Sequence, residues 1–264
     1  MSAPVYVFDS VLVRRPSRSV VGGLRDGDGP DPSYAGVVAE HDRYLEALAQ
    51  AGVGQILTLP PLEDFPDAVF IEDPALVFSE GAILLRPGAE SRRDEAKALA
   101  PDLPAHFPRV LELPEGGHVE GGDVLVTPSR VFIGLSARTD ERGARHLAEA
   151  LGALGKQAFV TQTPKGILHF KTACSLLDEE TVLVTERMAA SGVFEGFRTL
   201  VTPPGEAAAA NALRVNETVL VGAQFPATQD LLGHHGYRVE AVPTEQIGRL
   251  DAGLSCLSLR WSRP

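Results

Sequence analysis

Two periods of apolar residues take turns along this chain. Val5, Val7, Val11 and Val13 mark a strand within residues 5–14, because alternate side chains of a strand share a face. Val37, Val38, Tyr44, Leu45 and Leu48 then share one face of a helix predicted from Tyr34 to Ala51, with Gly52 as its stop, and Gln55 to Leu59 returns to strand. The succession of strand, turn, strand, helix and strand recurs. It is read at 122–126, 131–135, the helix 141–154 and 157–161. Part of it is read at 170–177 with 182–186, and all of it at 211–214, 218–221, the helix 227–234 and 237–242. The period is roughly 40–50 residues, in the range of repeat architectures, so about five units fit the length. After Gly253 the chain alternates once more, Leu254 and Cys256 against Ser255, Ser258 and Arg260. This predicts a terminal strand at a sheet edge, opening on a cysteine.

If such units ring an axis, the starts of their first strands meet at its centre. Those starts are Asp67, Glu120, His169, Asn211 and Cys256, so chemically useful residues hold equivalent places in successive units. Between Leu62 and Phe78 several carboxylates are threaded among strand-forming residues, and an inward-facing acid is costly unless a cation meets it. That marks a site. Residues Gly22 to Pro32 are rich in glycine, aspartate and proline and predict a mobile loop. With Leu24 as an apolar tip, the loop reads either as an active-site lid or as ordinary surface. No Gly-Lys-Ser/Thr follows it, and no glutamate falls twelfth from Asp26, which excludes a phosphate cradle and an EF-hand.

Composition narrows the function classes. With 44% hydrophobic and 22% charged residues the chain is globular, and 264 residues suffice for one large domain or two small ones. A net charge of -11 argues against non-specific nucleic-acid binding and favours a small cationic substrate, although solubility alone also explains such acidity. Cys174 and Cys256 are too few for a disulfide framework and lack a CxxC spacing. Asp9 interrupts the run Val5 to Phe8, and no apolar segment approaches a membrane span. A reducing, cytoplasmic setting is expected, where a free thiol persists.

A thiol, an imidazole and a carboxylate from separate strands supply a nucleophile, a proton shuttle and an orienting group. Cys256 would attack, His169 would move protons and Glu120 would fix the imidazole. Each has an ordinary alternative: a small buried side chain, a satisfied core histidine, a solvated turn residue. Cys174, between Thr172 and Leu177, reads as a buried apolar residue. His118-Val119-Glu120 matches the His-x-Glu of zinc deaminases without their Pro-Cys-x-x-Cys, and a zinc site of His118, His169 and Cys256 stays as a rival. His234-His235 reads as a helix end.

Seven motifs carry a resemblance. They are Phe65-Pro66-Asp67-Ala68-Val69-Phe70-Ile71-Glu72-Asp73-Pro74, Arg86-Pro87-Gly88-Ala89-Glu90-Ser91-Arg92-Arg93, Val119-Glu120-Gly121-Gly122-Asp123, Ser136-Ala137-Arg138-Thr139, Leu168-His169-Phe170-Lys171-Thr172, Val215-Asn216-Glu217 and Leu254-Ser255-Cys256-Leu257-Ser258. In this order, and almost end to end, they resemble the dimethylarginine dimethylaminohydrolase family. The resemblance implies the pentein fold, an α/β propeller of five pseudo-repeated ββαβ modules around a central active site, with residues 1–264 as a single catalytic domain. It implies Cys256 as nucleophile, His169 as general acid and base, and Glu120 as its partner. Asp67 and Asp73 would hold a guanidinium with Glu72 and Phe70 beside them, and Arg92 and Arg138 would pair with an α-carboxylate. Leu24 and Leu250 would offer backbone carbonyls to an α-amino group.

The implied activity converts N-omega-methylated L-arginine to L-citrulline and dimethylamine or methylamine through a covalent thiouronium intermediate. The resemblance implies no metal and no organic cofactor. The partner is a small cationic substrate, with no nucleic acid and no membrane, and a homodimer is allowed. Two departures stand out. Asp251-Ala252-Gly253 replaces paired glycines, a narrower approach that should stay open. At Gly121-Gly122 an alanine followed by glycine should serve as well. The nearest rival is arginine deiminase, disfavoured because the chain has no room for an inserted helical domain and because Lys171 stands where deiminases resemble one another in having an aspartate. A rival of another class is a non-catalytic pentein binding protein, against which the intact Cys256, His169 and Glu120 weigh.

Overall fold

Ser10–Arg14 (β1) is buried at every residue, so its run Val11-Leu12-Val13 is that of a strand covered on both faces. The structure, a computed structural model, describes residues 4–26 and 29–263. Tyr34–Gln50 (α1) follows, capped by Ser33, whose hydroxyl accepts the Gly36 N–H at 3.1 Å. Gln55–Leu59 (β2) then lies parallel to β1, as a helical crossover requires.

The plan repeats around the molecule. Ala75–Phe78 (β3) and Gly81–Leu84 (β4) pair antiparallel, Glu95–Leu99 (α2) crosses over, and Val110–Glu112 (β5) joins parallel to β4. Val124–Val126 (β6), Val131–Leu135 (β7), Glu141–Ala153 (α3) and Ala158–Gln162 (β8) do the same. So do Cys174–Leu176 (β9), Thr181–Val184 (β10), Glu186–Ala190 (α4) and Arg198–Val201 (β11). The next unit comprises Leu213–Val215 (β12), Thr218–Gly222 (β13), Pro226–His234 (α5) and Arg238–Val242 (β14). After the short Glu245–Gly248 (α6), Leu259–Trp261 (β15) pairs antiparallel with β1, Leu259 opposite Leu12 and Trp261 opposite Ser10.

β15 therefore completes the first sheet, and five three-stranded sheets result among the described residues. This is the five-bladed α/β propeller of the pentein fold. Its middle strands are buried nearly throughout, whereas the outer strands carry exposed residues such as Phe159, Val160 and Val201. Continuous apolar runs in the sequence thus mark the middle of each blade.

The innermost strands begin later than their sequence pattern suggests. Leu254–Leu257 forms a 3₁₀ turn ahead of β15, with Leu254 and Leu257 both buried, as residues three apart share one face of such a turn. Cys256 is therefore on a turn, and not in the expected terminal strand. Similar turns, Gly121–Asp123, Phe170–Thr172 and Ala207–Ala210, precede β6, β9 and β12. The carboxylates from Glu63 to Asp73 likewise lie in turns ahead of β3, where a turn can direct an acid without breaking a sheet ladder. The strand predicted over 5–14 starts only at Ser10, the Val7 N–H being bonded in a turn to the Pro4 carbonyl.

Candidate active site

The turns that lead into β3, β6, β9 and β15 all contribute residues to one cleft. Glu120 stands at the head of the turn Gly121–Asp123 and is fully buried. Its Oε1 accepts the backbone N–H groups of Gly88 and Ala89 at 2.9 and 3.0 Å, and its Oε2 lies 2.6 Å from His169 Nε2. Two backbone donors thus hold the carboxylate in place and aimed at the imidazole. The turn itself packs backbone to backbone on its neighbour: a Cβ at Gly121 would lie 2.0 Å from the Glu72 carbonyl oxygen. An alanine there, expected to be harmless, would force the turn away from Asp73.

His169 heads the turn Phe170–Thr172, which is fixed by the Phe170 N–H donating to Asp123 Oδ1 at 2.8 Å. Asp123 is fully buried and also accepts the hydroxyls of Ser136 and Thr139 at 2.6 and 2.7 Å, joining the His169 turn to the loop that carries Arg138. Burial opposes a charge on His169, but the Glu120 hydrogen bond together with Asp73 and Asp123 raises its pKa from 6.5 to about 9. The ring is an imidazolium at neutral pH, ready to give a proton.

Asp73 is buried, which disfavours its charge, yet Arg92, His169 and the Gly122 N–H at 2.8 Å hold its carboxyl below the ordinary range. Arg92 is buried too, and its guanidinium is ion-paired with Asp73 and with Glu95, the latter at 2.7 Å. It also donates to the Phe70 and Asp67 carbonyls at 2.9 and 3.2 Å. Asp67 accepts the Leu24 N–H at 3.0 Å, which draws the predicted lid onto the cleft, and burial raises its pKa above the ordinary value despite Arg92. Arg138 is the less committed arginine, its Nη1 3.8 Å from Glu120 Oε1 and its side chain 21% exposed.

Cys256 is half-buried on its turn. Burial, with Glu72 and Asp73 nearby, pushes its thiol up to about 11, against a backbone hydrogen bond from Gly253 and the charge of Lys171. The free thiol is therefore protonated at neutral pH. A cation placed beside it would bring it toward the thiolate.

Around one narrow cleft stand Cys256, His169, Glu120, Asp67, Asp73, Phe70, Arg92, Arg138, Leu24 and Leu250. Glu72 lies behind Cys256 and is not among the residues that line this cleft. Its carboxylate is turned to Lys171 and to Arg260, the latter at 2.5 Å, and it lines a separate cavity of 730 Å³ among the innermost strands. Its charge nevertheless reaches the Cys256 thiol and raises it. Lys171 follows Glu72 to that side, so position 171 presents no side chain to the cleft.

The cleft also holds residues that sequence reasoning did not assign. Asp26 and Asp251 line it, the Asp26 N–H bonded to Asp251 Oδ2 at 2.6 Å, and so does Arg25, whose Nη1 is buried with no partner among the described residues. Only the glycine-rich loop around them was legible. Asp73, Glu120 and His169 could each offer a ligand atom to a metal within 4.8 Å of one another, but those atoms are occupied by Arg92, backbone N–H groups and each other. His118 is not in that group, nor is Cys256.

The arrangement of thiol, imidazolium, carboxylates and arginines has close parallels among known proteins. The arginine deiminase family is matched over residues 59–208. The N(G),N(G)-dimethylarginine dimethylaminohydrolase of Pseudomonas aeruginosa is 38% identical over 97% of this chain and 100% of its own, and that of Streptomyces coelicolor is 32% identical over 94% and 95%. The solved structure of the Pseudomonas aeruginosa protein, a Cys-to-Ser mutant complexed with citrulline, superimposes with a TM-score of 0.93 at 36% identity, covering 97% of this chain and 100% of that one. With the propeller and the cleft in place, the chain belongs to the dimethylarginine dimethylaminohydrolase family, guanidine-modifying hydrolases of the pentein and arginine deiminase superfamily.

Proposed function

We propose that this protein is a dimethylargininase, hydrolysing N-omega-methylated L-arginine to L-citrulline and dimethylamine or methylamine. The observation that carries the reading is the grouping of Cys256, His169 and Glu120 in one cleft with the carboxylates of Asp67 and Asp73 and the guanidinium groups of Arg92 and Arg138. Asp73 and Asp67 meet the guanidinium; Arg138 and Arg92 face the α-carboxylate, and the Leu24 and Leu250 carbonyls face the α-amino group. Relatives bound to citrulline and to S-methyl-L-thiocitrulline support a ligand of this class.

The guanidinium places a positive charge beside Sγ, which favours loss of the thiol proton to solvent where burial and the nearby carboxylates disfavour it. The thiolate adds to the central guanidine carbon, giving a tetrahedral adduct. His169 donates its proton to the methylated nitrogen as the C–N bond breaks, and the amine departs, leaving a thiouronium on Cys256. Water then adds to the same carbon as neutral His169 takes its proton. The C–S bond breaks, citrulline leaves and the sulfur is restored. Glu120 stabilises the imidazolium in both halves. Residues 1–264 act as a single catalytic domain, and its two free cysteines suit a reducing cytoplasm.

Incubation of the purified protein with asymmetric dimethylarginine should yield citrulline and dimethylamine in equal amounts, and Cys256→Ser should yield neither. Comparable turnover of plain arginine with release of ammonia would move the assignment to a deiminase, and no turnover of any guanidine would favour a binding protein.

A further inference from the structure

The nucleophile of the proposed reaction, on which this inference rests, lies in surroundings that work against its anion. Burial and two carboxylates disfavour it, and among the described residues no arginine or lysine is hydrogen-bonded to the sulfur. One side-chain donor does reach it. Asn211 Nδ2 lies 3.6 Å from Cys256 Sγ, a distance suited to an N–H···S contact.

The amide cannot turn over. Asn211 Oδ1 accepts the backbone N–H of Ser255 at 3.2 Å, so exchanging oxygen and nitrogen would set two donors face to face. Asn211 is buried, just after the turn Ala207–Ala210 and ahead of β12. Gly253 makes room for it: a Cβ there would lie 2.4 Å from Asn211 Cγ. Three features of the nucleophile turn therefore fit one amide: the missing side chain of Gly253, the Ser255 N–H and the Cys256 sulfur.

We propose that Asn211 is a thiolate-stabilising residue of this active site, its Nδ2–H donating to the Cys256 sulfur whenever that sulfur is negative. A hydrogen bond that strengthens with acceptor charge favours the ionised form. The bond serves twice, when the thiolate is generated for attack and when sulfur leaves the second tetrahedral adduct. A lysine at this place would favour the anion more strongly, but it would also repel a guanidinium; a neutral amide does not.

The test is an alkylation titration. In a Cys174→Ala background, the rate of iodoacetamide modification is followed against pH without any guanidine, reporting the midpoint of the Cys256 thiol. Asn211→Asp keeps an acceptor for the Ser255 N–H but removes the donor, and its midpoint should rise by about one pH unit, with kcat falling about tenfold and KM changing much less. Asn211→Ala should raise the midpoint in the same direction, and it provides the reading if Asn211→Asp does not fold. An unchanged midpoint in a folded variant overturns the proposal. Because the titration uses no substrate, a protein that turns over no methylated arginine would refute the function proposed above while leaving this result standing.

Discussion

The two cysteines of this chain both lie where an innermost strand begins, yet they have opposite surroundings. Cys174 opens β9, just past the end of its turn, and is 1% exposed among Phe132, Phe170, Met188 and Phe194. Its Sγ donates to the Phe170 carbonyl at 3.2 Å, and burial alone drives its thiol far above the ordinary range. Cys256 lies inside its turn, before the strand, and faces the cleft with Asn211 on its sulfur. A shift of a few residues along the same structural unit separates a core-filling side chain from a nucleophile. Reactivity here is set by where the turn ends, since Cys174 has entered the sheet's packing and Cys256 still faces the cleft.

The sharpest way to break this contrast is to exchange the losses. Cys256→Ala should lower citrulline formation by about 10⁴-fold or more, the usual cost of losing a covalent nucleophile. Cys174→Ala should hold kcat/KM within a few-fold. A large loss of activity in the second variant, measured on folded protein, would mean that the two environments are coupled.

His169 belongs to only one side of the comparison, and Glu120→Gln tests it with a smaller effect. The variant keeps an acceptor for Gly88 and Ala89 but removes the charge that helps raise the imidazole to about 9. Turnover should fall about 10²-fold, within the range for general acid–base catalysis, and the basic limb of the pH–rate profile should move to lower pH. An unmoved limb would detach that limb from His169.

Sequence pattern disclosed the blades more fully than it disclosed the site. The runs Val11-Leu12-Val13 and Val219-Leu220-Val221 are continuous because middle strands are covered on both faces, and the helix from Tyr34 is framed by its Ser33 cap and Gly52. The turns were misread because Leu254, Cys256 and Ser255 alternate as a strand would over so short a stretch, while the spacing that matters is Leu254 to Leu257. Asn211 was visible as an equivalent position, but its contact with a sulfur 45 residues away is a product of ring closure. Glu72 shows the reverse case: its motif was plain, and only the positions of Lys171 and Arg260 reveal which way it turns.

The protonation of His169 also leaves a trace in stability. Its folded pKa of about 9 lies above its ordinary 6.5, so the stabilisation is complete below pH 6.5 and is lost as pH rises through 9. The loss is on the order of 3 kcal/mol across that window, readable by urea denaturation at a series of pH values. Glu120→Gln should flatten this slope and Cys174→Ala should leave it unchanged. A slope that persists in Glu120→Gln would assign it to other groups.

The smallest effect concerns the cysteine that does no chemistry. Cys174→Ala removes one buried sulfur from a cluster of aromatic rings and should cost about 1 kcal/mol, the cavity left being small. For a chain of this size that is a fall of roughly 2–4 °C in Tm. Cys174→Ser should cost more, because a hydroxyl in that apolar cluster is poorly solvated and must rely on the Phe170 carbonyl alone. Cys256→Ala should lower Tm less than either, since the sulfur it removes is half-buried beside Glu72 and Asp73, where burial already disfavours its charge. The two positions would then exchange rank between assays, Cys256 first in turnover and Cys174 first in melting. If Cys256→Ala proves the more destabilising, the nucleophile turn is held together by its sulfur, and Asn211 and Gly253 pack against it as a structural core.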